Sequence, residues 1–167
     1  MVVDRELADK FIEVYKTFLL LVCDEFGQVA ENTELLTRLQ IGRDIYLEDK
    51  WLLDDFAAEF SVSAEITEAI ASLEYGQWVY LRDTTKYSLF IREDQTAAFA
   101  VLGLIQPLKE VCGRSGMYFG AGLLQLGGKY VCDGLLVDYL YLGKNLRDEY
   151  NEAYKELKKE GKFYKNF

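Results

Sequence analysis

Two stretches decide the fold: GQWVYLRDTTKYSLFIR, residues 76–92, and YFGAGLLQLGGKYVCDGLLV, residues 118–137. In the first, Trp78–Arg82 and Tyr87–Arg92 are short apolar runs rich in aromatic and β-branched residues. Asp83-Thr84-Thr85-Lys86 between them suits a tight connection. In the second, Tyr118–Leu126 and Lys129–Val137 flank Gly127-Gly128. A Gly-Gly pair supplies the positive φ that a two-residue hairpin turn requires. Between the two stretches lies a third strand-like run, Ala97–Ile105, ended by Gln106 and the only proline, Pro107. Pro107–Cys112 fits one helical turn and Gly113–Gly116 a loop.

Outward from these strands the period changes from two to 3.6. Toward the N-terminus, Leu7, Phe11, Val14, Tyr15, Phe18, Leu19 and Val22 form one stripe of an amphipathic helix over residues 4–26, with Asp4 as N-cap and Gly27 as stop. A second helix is expected from Asn32 or Thr33, carrying Leu35, Leu36 and Leu39. A third is expected over about 47–60, with Leu47, Trp51, Leu52 and Phe56 in one stripe. A fourth follows Ser63, with Ile66, Ile70 and Leu73 inward. Toward the C-terminus, Asn145 with Asp148 resembles a capping box. It opens a helix whose inner face is Leu146, Tyr150, Tyr154 and Leu157. Runs of helices, then strands, then a helix define an α+β class. The expected architecture is one domain of N-terminal helices, a curved antiparallel sheet of about five strands, and a C-terminal helix. Its segments are residues 1–28, a helix that could be an extension, then helical 29–75, sheet 76–142 and helix 143–167.

Composition narrows the function classes. Half of the 167 residues are hydrophobic and 14% aromatic, which excludes wholesale disorder. The net charge is −9. Residues 1–143 hold 12 Lys/Arg against 23 Asp/Glu, and residues 144–167 hold 7 against 5. An acidic body repels phosphate backbones, so no nucleic-acid partner is expected. There is no histidine. That removes Ser–His and Cys–His catalysis and imidazole metal ligands, leaving acid–base work to Asp, Glu, Lys, Tyr or Cys. Cys23, Cys112 and Cys132 match no zinc or redox spacing. No leader pattern opens the sequence, and the apolar run Phe18–Cys23 is too short to cross a bilayer. A cytoplasmic protein with reduced thiols, no cofactor and no membrane partner is the expectation.

Two places stand out as candidate sites. Arg82 and Asp83 close one strand, and Lys86 and Tyr87 open the next. The hairpin end is therefore either an anion pocket or a charged surface tip. In Gly128–Leu136, strand alternation puts Val131, Asp133 and Leu135 on one face. Either Asp133 is buried with partners, or Gly134 marks a bulge that swings it out. Arg82, Lys86, Tyr87 and Asp133 together form a candidate ligand-binding set at a sheet end. Gly113-Arg114-Ser115-Gly116 lacks the ending of a phosphate loop, and Gly120-Ala121-Gly122 marks close backbone packing.

From about Asp44 onward the chain resembles a family of uncharacterised bacterial and archaeal proteins. The matching features, in order, are Trp51–Phe56, the Leu81–Phe90 hairpin, Ala100–Leu104 before Pro107, Gly128–Leu136, and the closing helix with Leu146-Arg147, Tyr150 and Tyr154. The resemblance implies these boundaries and no activity. The function expected from the residues is a non-catalytic binding or regulatory module for a protein or small-molecule ligand. Two alternatives stay open. One is an enzyme using Asp133 with Arg82 at a sheet-end pocket. The other is a homo-oligomeric assembly protein, such as a homodimer formed through an exposed aromatic face of the first helix.

Overall fold

The computed structural model describes residues 1–166. Four helices come first: α1 (Arg5–Phe26), α2 (Leu35–Glu48), α3 (Trp51–Glu59) and α4 (Ala64–Ala71). α1 starts as expected, with the Asp4 carboxylate accepting from the Leu7 N–H at 3.1 Å. It ends with the Gly27 N–H on the Cys23 carbonyl at 2.8 Å. Its aromatic face does not look outward. Phe11, Tyr15 and Phe18 are buried in the same core as Tyr46 of α2, Phe56 of α3 and Ile70 of α4. Those three rings are therefore not an exposed surface of α1, whose outward large apolar side chains are Leu21 and Phe26.

The expected helix over 47–60 begins only at Trp51, because α2 runs on to Glu48 and the helical path breaks at Asp49. Asp49 leaves helical geometry (φ −130°, ψ 87°), and its carboxylate accepts from the Trp51 N–H at 3.2 Å. A short Asx-type bond competes with the helix ladder at that point. α3 restarts with Trp51 in solvent and Leu53 and Phe56 inward. Ser63 precedes α4, but its side chain makes no capping bond.

The strands are β1 (Glu74–Asp83), β2 (Ser88–Arg92), β3 (Ala98–Leu102), β4 (Met117–Leu126), β5 (Lys129–Cys132), β6 (Val137–Tyr141) and β7 (Phe163–Tyr164). The short helix α5 (Leu108–Cys112) precedes β4, and α6 (Lys144–Lys159) precedes β7. The α+β class is as read from the sequence. The sheet is mostly antiparallel, but it is closed on itself. Its path runs β1-β2-β3-β5-β4, and β4 pairs back onto β1. β3 and β5 run parallel. This is the strand order of a five-stranded Greek-key barrel of the OB type.

Closure depends on β1, which serves two neighbours. Residues 74–80 pair with β4, residues 78–83 pair with β2, and a bulge between Tyr80 and Arg82 bends the strand around. The β4–β5 hairpin turns at Gly127 (φ 58°) and Gly128 (φ 74°), as the Gly-Gly pair requires. Two parallel pairings complete the seam. β5 takes residues 101–102 of β3, and β7 takes residues 98–99.

Alternation gives the ring two faces. The interior holds Trp78, Tyr80, Phe90, Phe99, Phe119 and Leu123, with Leu108 of α5 at one end. The Trp78 indole donates to the Ala121 carbonyl at 3.0 Å, so no buried polar group is stranded there. Outside, α1, α2 and α4 cover Leu102, Leu124, Leu126 and Val131. On another flank α6 covers Val79, Leu81, Leu89 and Ile91 with Tyr150, Tyr154 and Leu157. Leu146, expected on this inner face, is exposed. α6 begins at Lys144 after Gly143, and Asp148 bonds Lys144 at 3.0 Å. No Asn145–Asp148 capping box forms.

Candidate functional site

Asp133 follows β5 and is buried with partners, the first of the two arrangements the alternation allowed. Its side chain has no exposed surface, and that of Arg43 is 1% exposed. Asp133 Oδ2 accepts from Arg43 Nη1 at 2.9 Å and from the Tyr15 hydroxyl at 3.4 Å. Oδ1 accepts from the backbone N–H of Gly122 at 3.1 Å and of Leu135 at 3.0 Å. Arg43 Nη1 also donates to the Leu135 carbonyl at 2.7 Å, and its guanidinium lies 4.8 Å from the Tyr75 ring centre. Burial raises the Asp133 carboxyl from its ordinary value, against the pull of Arg43 and the two N–H groups. Burial, then the Asp133 charge, holds the Tyr15 hydroxyl protonated far above the ordinary tyrosine range.

Four donors fill the carboxylate, and no atom of it meets solvent. The cluster ties α1, α2, β4 and the β5–β6 connection together. A buried charge with that many donors is an assembled part of the fold. Gly122 is glycine for the same reason: a Cβ there would stand 2.5 Å from Asp133 Oδ2.

The structure does not bring the four expected site residues together. Arg82 donates to the Asn151 side chain of α6, and its guanidinium lies 5.2 Å from the Tyr154 ring centre. Asp83 does not pair with Arg82. Its carboxylate accepts from the hydroxyls of Tyr80 at 2.7 Å and Ser88 at 2.6 Å. Lys86 is exposed in the β1–β2 turn, and the half-buried Tyr87 ring packs 5.8 Å from that of Phe163. Asp133 bonds Gly122, which sits opposite Tyr75 at the start of β1. Arg82 lies seven residues further along that strand, roughly 20 Å away at the usual rise. Arg82 is thus part of the α6 seat, and the partner of Asp133 is Arg43. The sequence held one signal for Arg43: it stands at helical spacing from Leu39 and Tyr46, on the face α2 turns inward.

The thiols are unpaired, with Cys23 and Cys132 buried and Cys112 half-buried. Burial pushes the Cys112 thiol up to about 11, which leaves it little thiolate at neutral pH. Among the described residues no group of three or more Cys, Asp or Glu side chains is placed to hold a metal ion, and no helix is long and apolar enough to cross a membrane.

β6 offers a different feature, a strand edge. One edge of β6 pairs with β4, through Met117–Tyr141, Tyr118–Leu140 and Gly120–Val137. β6 ends the sheet path, so among the described residues its other edge carries no strand. The Leu142 N–H bonds the Gly116 carbonyl toward β4. By the two-residue period, the N–H groups of Tyr139 and Tyr141 point to the open edge. Tyr139, Leu140 and Tyr141 are 66%, 58% and 42% exposed. Beside them runs a cleft of about 480 Å³ between α5 and β6, lined by Leu36, Val111, Cys112, Met117, Phe119 and Tyr139 among others. A bare strand edge, exposed aromatic side chains and an apolar cleft are the parts of a strand-addition site.

Fold and site together define a helix-flanked Greek-key barrel with an open flanking strand. No family model, no curated protein and no solved structure matches the chain.

Proposed function

We propose that the protein is a non-catalytic interaction module that binds an extended segment of a partner protein as an added strand on β6. The observation that carries this reading is the edge of β6 left without a strand among the described residues, beside the mostly apolar cleft. Continuing the strand period back from the Leu142–Gly116 bond directs the Tyr139 and Tyr141 N–H groups to that edge. Backbone bonds would supply affinity, and the cleft would select alternate side chains. An oligonucleotide is a poor fit. The net charge is −9, and the outer face of β2 and β3, where OB-type barrels take such ligands, lies under α6. Catalysis through Asp133 and Arg82 has no geometric support, since Asp133 lies by the strand partner of Tyr75 and Arg82 lies seven residues further along β1, roughly 20 Å away.

The test is selection from a displayed library of twelve-residue random peptides, followed by amide exchange on the protein with selected peptides bound. The expected result is new protection of the Tyr139 and Tyr141 amides, with Leu142 protected in both states. Failure to select any peptide, or selected peptides that leave the Tyr139 and Tyr141 amides exchanging freely, would remove the reading.

A further inference from the structure

The chain has seven arginines. Five of them find side-chain acceptors: Arg5 on Asp9, Arg38 on Asp24, Arg43 on Asp133, Arg82 on Asn151 and Arg92 on Glu74. Arg114 and Arg147 do not, although carboxylates outnumber cations 28 to 19. Both lie against one ring at the end of β6. The Arg114 guanidinium carbon is 3.6 Å from the Tyr141 ring centre, and that of Arg147 is 5.3 Å from it. The two charges are therefore within about 9 Å of each other, with no counter-ion among the described residues. The Arg147 Nε is buried and makes no hydrogen bond.

The surroundings add to the positive field. Arg147 lies in the first turn of α6, whose N-cap Gly143 supplies no side-chain bond and which has no acidic residue in that turn, while Lys144 of the same turn is paired with Asp148. Cations at a helix N-terminus oppose the helix dipole, and an unpaired buried donor costs free energy. Three unfavourable features converge on Tyr141, and an anion bound there would relieve all of them.

Resting on the strand-addition reading, we propose that Arg114 and Arg147 form a carboxylate-binding subsite at the Tyr141 end of β6. The partner of this module is therefore an extended apolar segment carrying an Asp or Glu side chain beside that end. Tyr141 holds the two guanidinium planes in place, and the forked donors take the carboxylate.

Two synthetic peptide pools test this. Both share one random eight-residue core. One pool is flanked at each end by Asp-Glu and the other by the uncharged Asn-Gln. The acidic pool is expected to be retained at least about tenfold more strongly. The preference is expected to shrink in high salt and to disappear in the Arg114→Gln/Arg147→Gln double variant. Arg114→Gln alone, at an exposed position, is expected to remove part of it, and Arg5→Gln none. Equal retention of both pools with Tyr139 and Tyr141 protected would overturn the carboxylate subsite and leave strand addition standing. So would a preference that survives in the double variant. Retention of neither pool would overturn both.

Discussion

Tyr15 and Asp133 stand 118 residues apart in the chain and meet through a hydroxyl and a carboxylate oxygen at 3.4 Å. Arg43 approaches the same oxygen at 2.9 Å, so three distant segments share one buried acceptor. The helical half of the molecule is fastened to the barrel at this point by a charge pair as well as by apolar packing.

Removing either charge alone is expected to destabilise the fold strongly. Arg43→Met leaves a buried carboxylate without its cation, and Asp133→Asn leaves a buried guanidinium without its anion. Each is expected to cost about 3–5 kcal/mol in urea unfolding. The double variant is expected to lose less than the sum of the two, because no lone charge remains. Strictly additive losses would show that the pair does not act as a unit.

Stability is expected to fall on the alkaline side. Tyr46 donates to the Ile70 carbonyl at 3.2 Å, and burial, with the Asp54 charge, pushes its hydroxyl up to about 12. The ordinary tyrosine value, which the unfolded chain takes, is 10.0. Between these two pH values the unfolded chain releases a proton that the folded chain keeps. The unfolded state is therefore favoured by up to about 1.4 kcal/mol for each pH unit. Tyr15 and Tyr80, both raised by burial first, act in the same direction. Urea midpoints measured from pH 9 to 12 should decline, and Tyr46→Phe should flatten the decline. A midpoint constant across that range would contradict these placements.

The two tryptophans should report separately. Trp51 is 77% exposed, and Trp78 is fully enclosed in the ring. Trp51→Phe is expected to leave blue-shifted emission that an aqueous quencher barely reaches, and Trp78→Phe red-shifted emission that it quenches freely. Matching quenching in the two variants would place Trp78 outside a closed barrel.

Local signals carried the sequence reading as far as hairpins and helices. The stripe Phe11, Tyr15 and Phe18 marks α1, and Gly127-Gly128 marks the β4–β5 turn, because a helical face and a positive-φ turn are set by neighbours in the chain. Ring closure has no such signature. It rests on pairing β1 with β4 and β3 with β5, and a strand's sequence does not say what lies on its second edge. Alternation placed Asp133 on the face of Val131 and Leu135, but left open whether it was buried or swung out at Gly134. Its partner was not legible, since Arg43 lies 90 residues away within a helix. β6 was hidden for a different reason. Asp138 takes φ 51°, which resets the pleat and breaks the alternation by which Val137–Tyr141 would have read as a separate strand. Arg82 faced the opposite problem, because its position at a strand end said nothing of the helix α6 that would occupy it.

The seam of the ring has a consequence for biosynthesis. Phe163 and Tyr164 fill the part of the β3 edge that β5 leaves bare, and the Lys162 carbonyl accepts from the Ala98 N–H at 3.0 Å. On the ribosome, a chain extended only as far as α6 holds a nearly finished cylinder with a slot along one wall. Proteolytic clipping before residue 162 would reopen that slot, giving neighbouring polypeptides a template for mispairing.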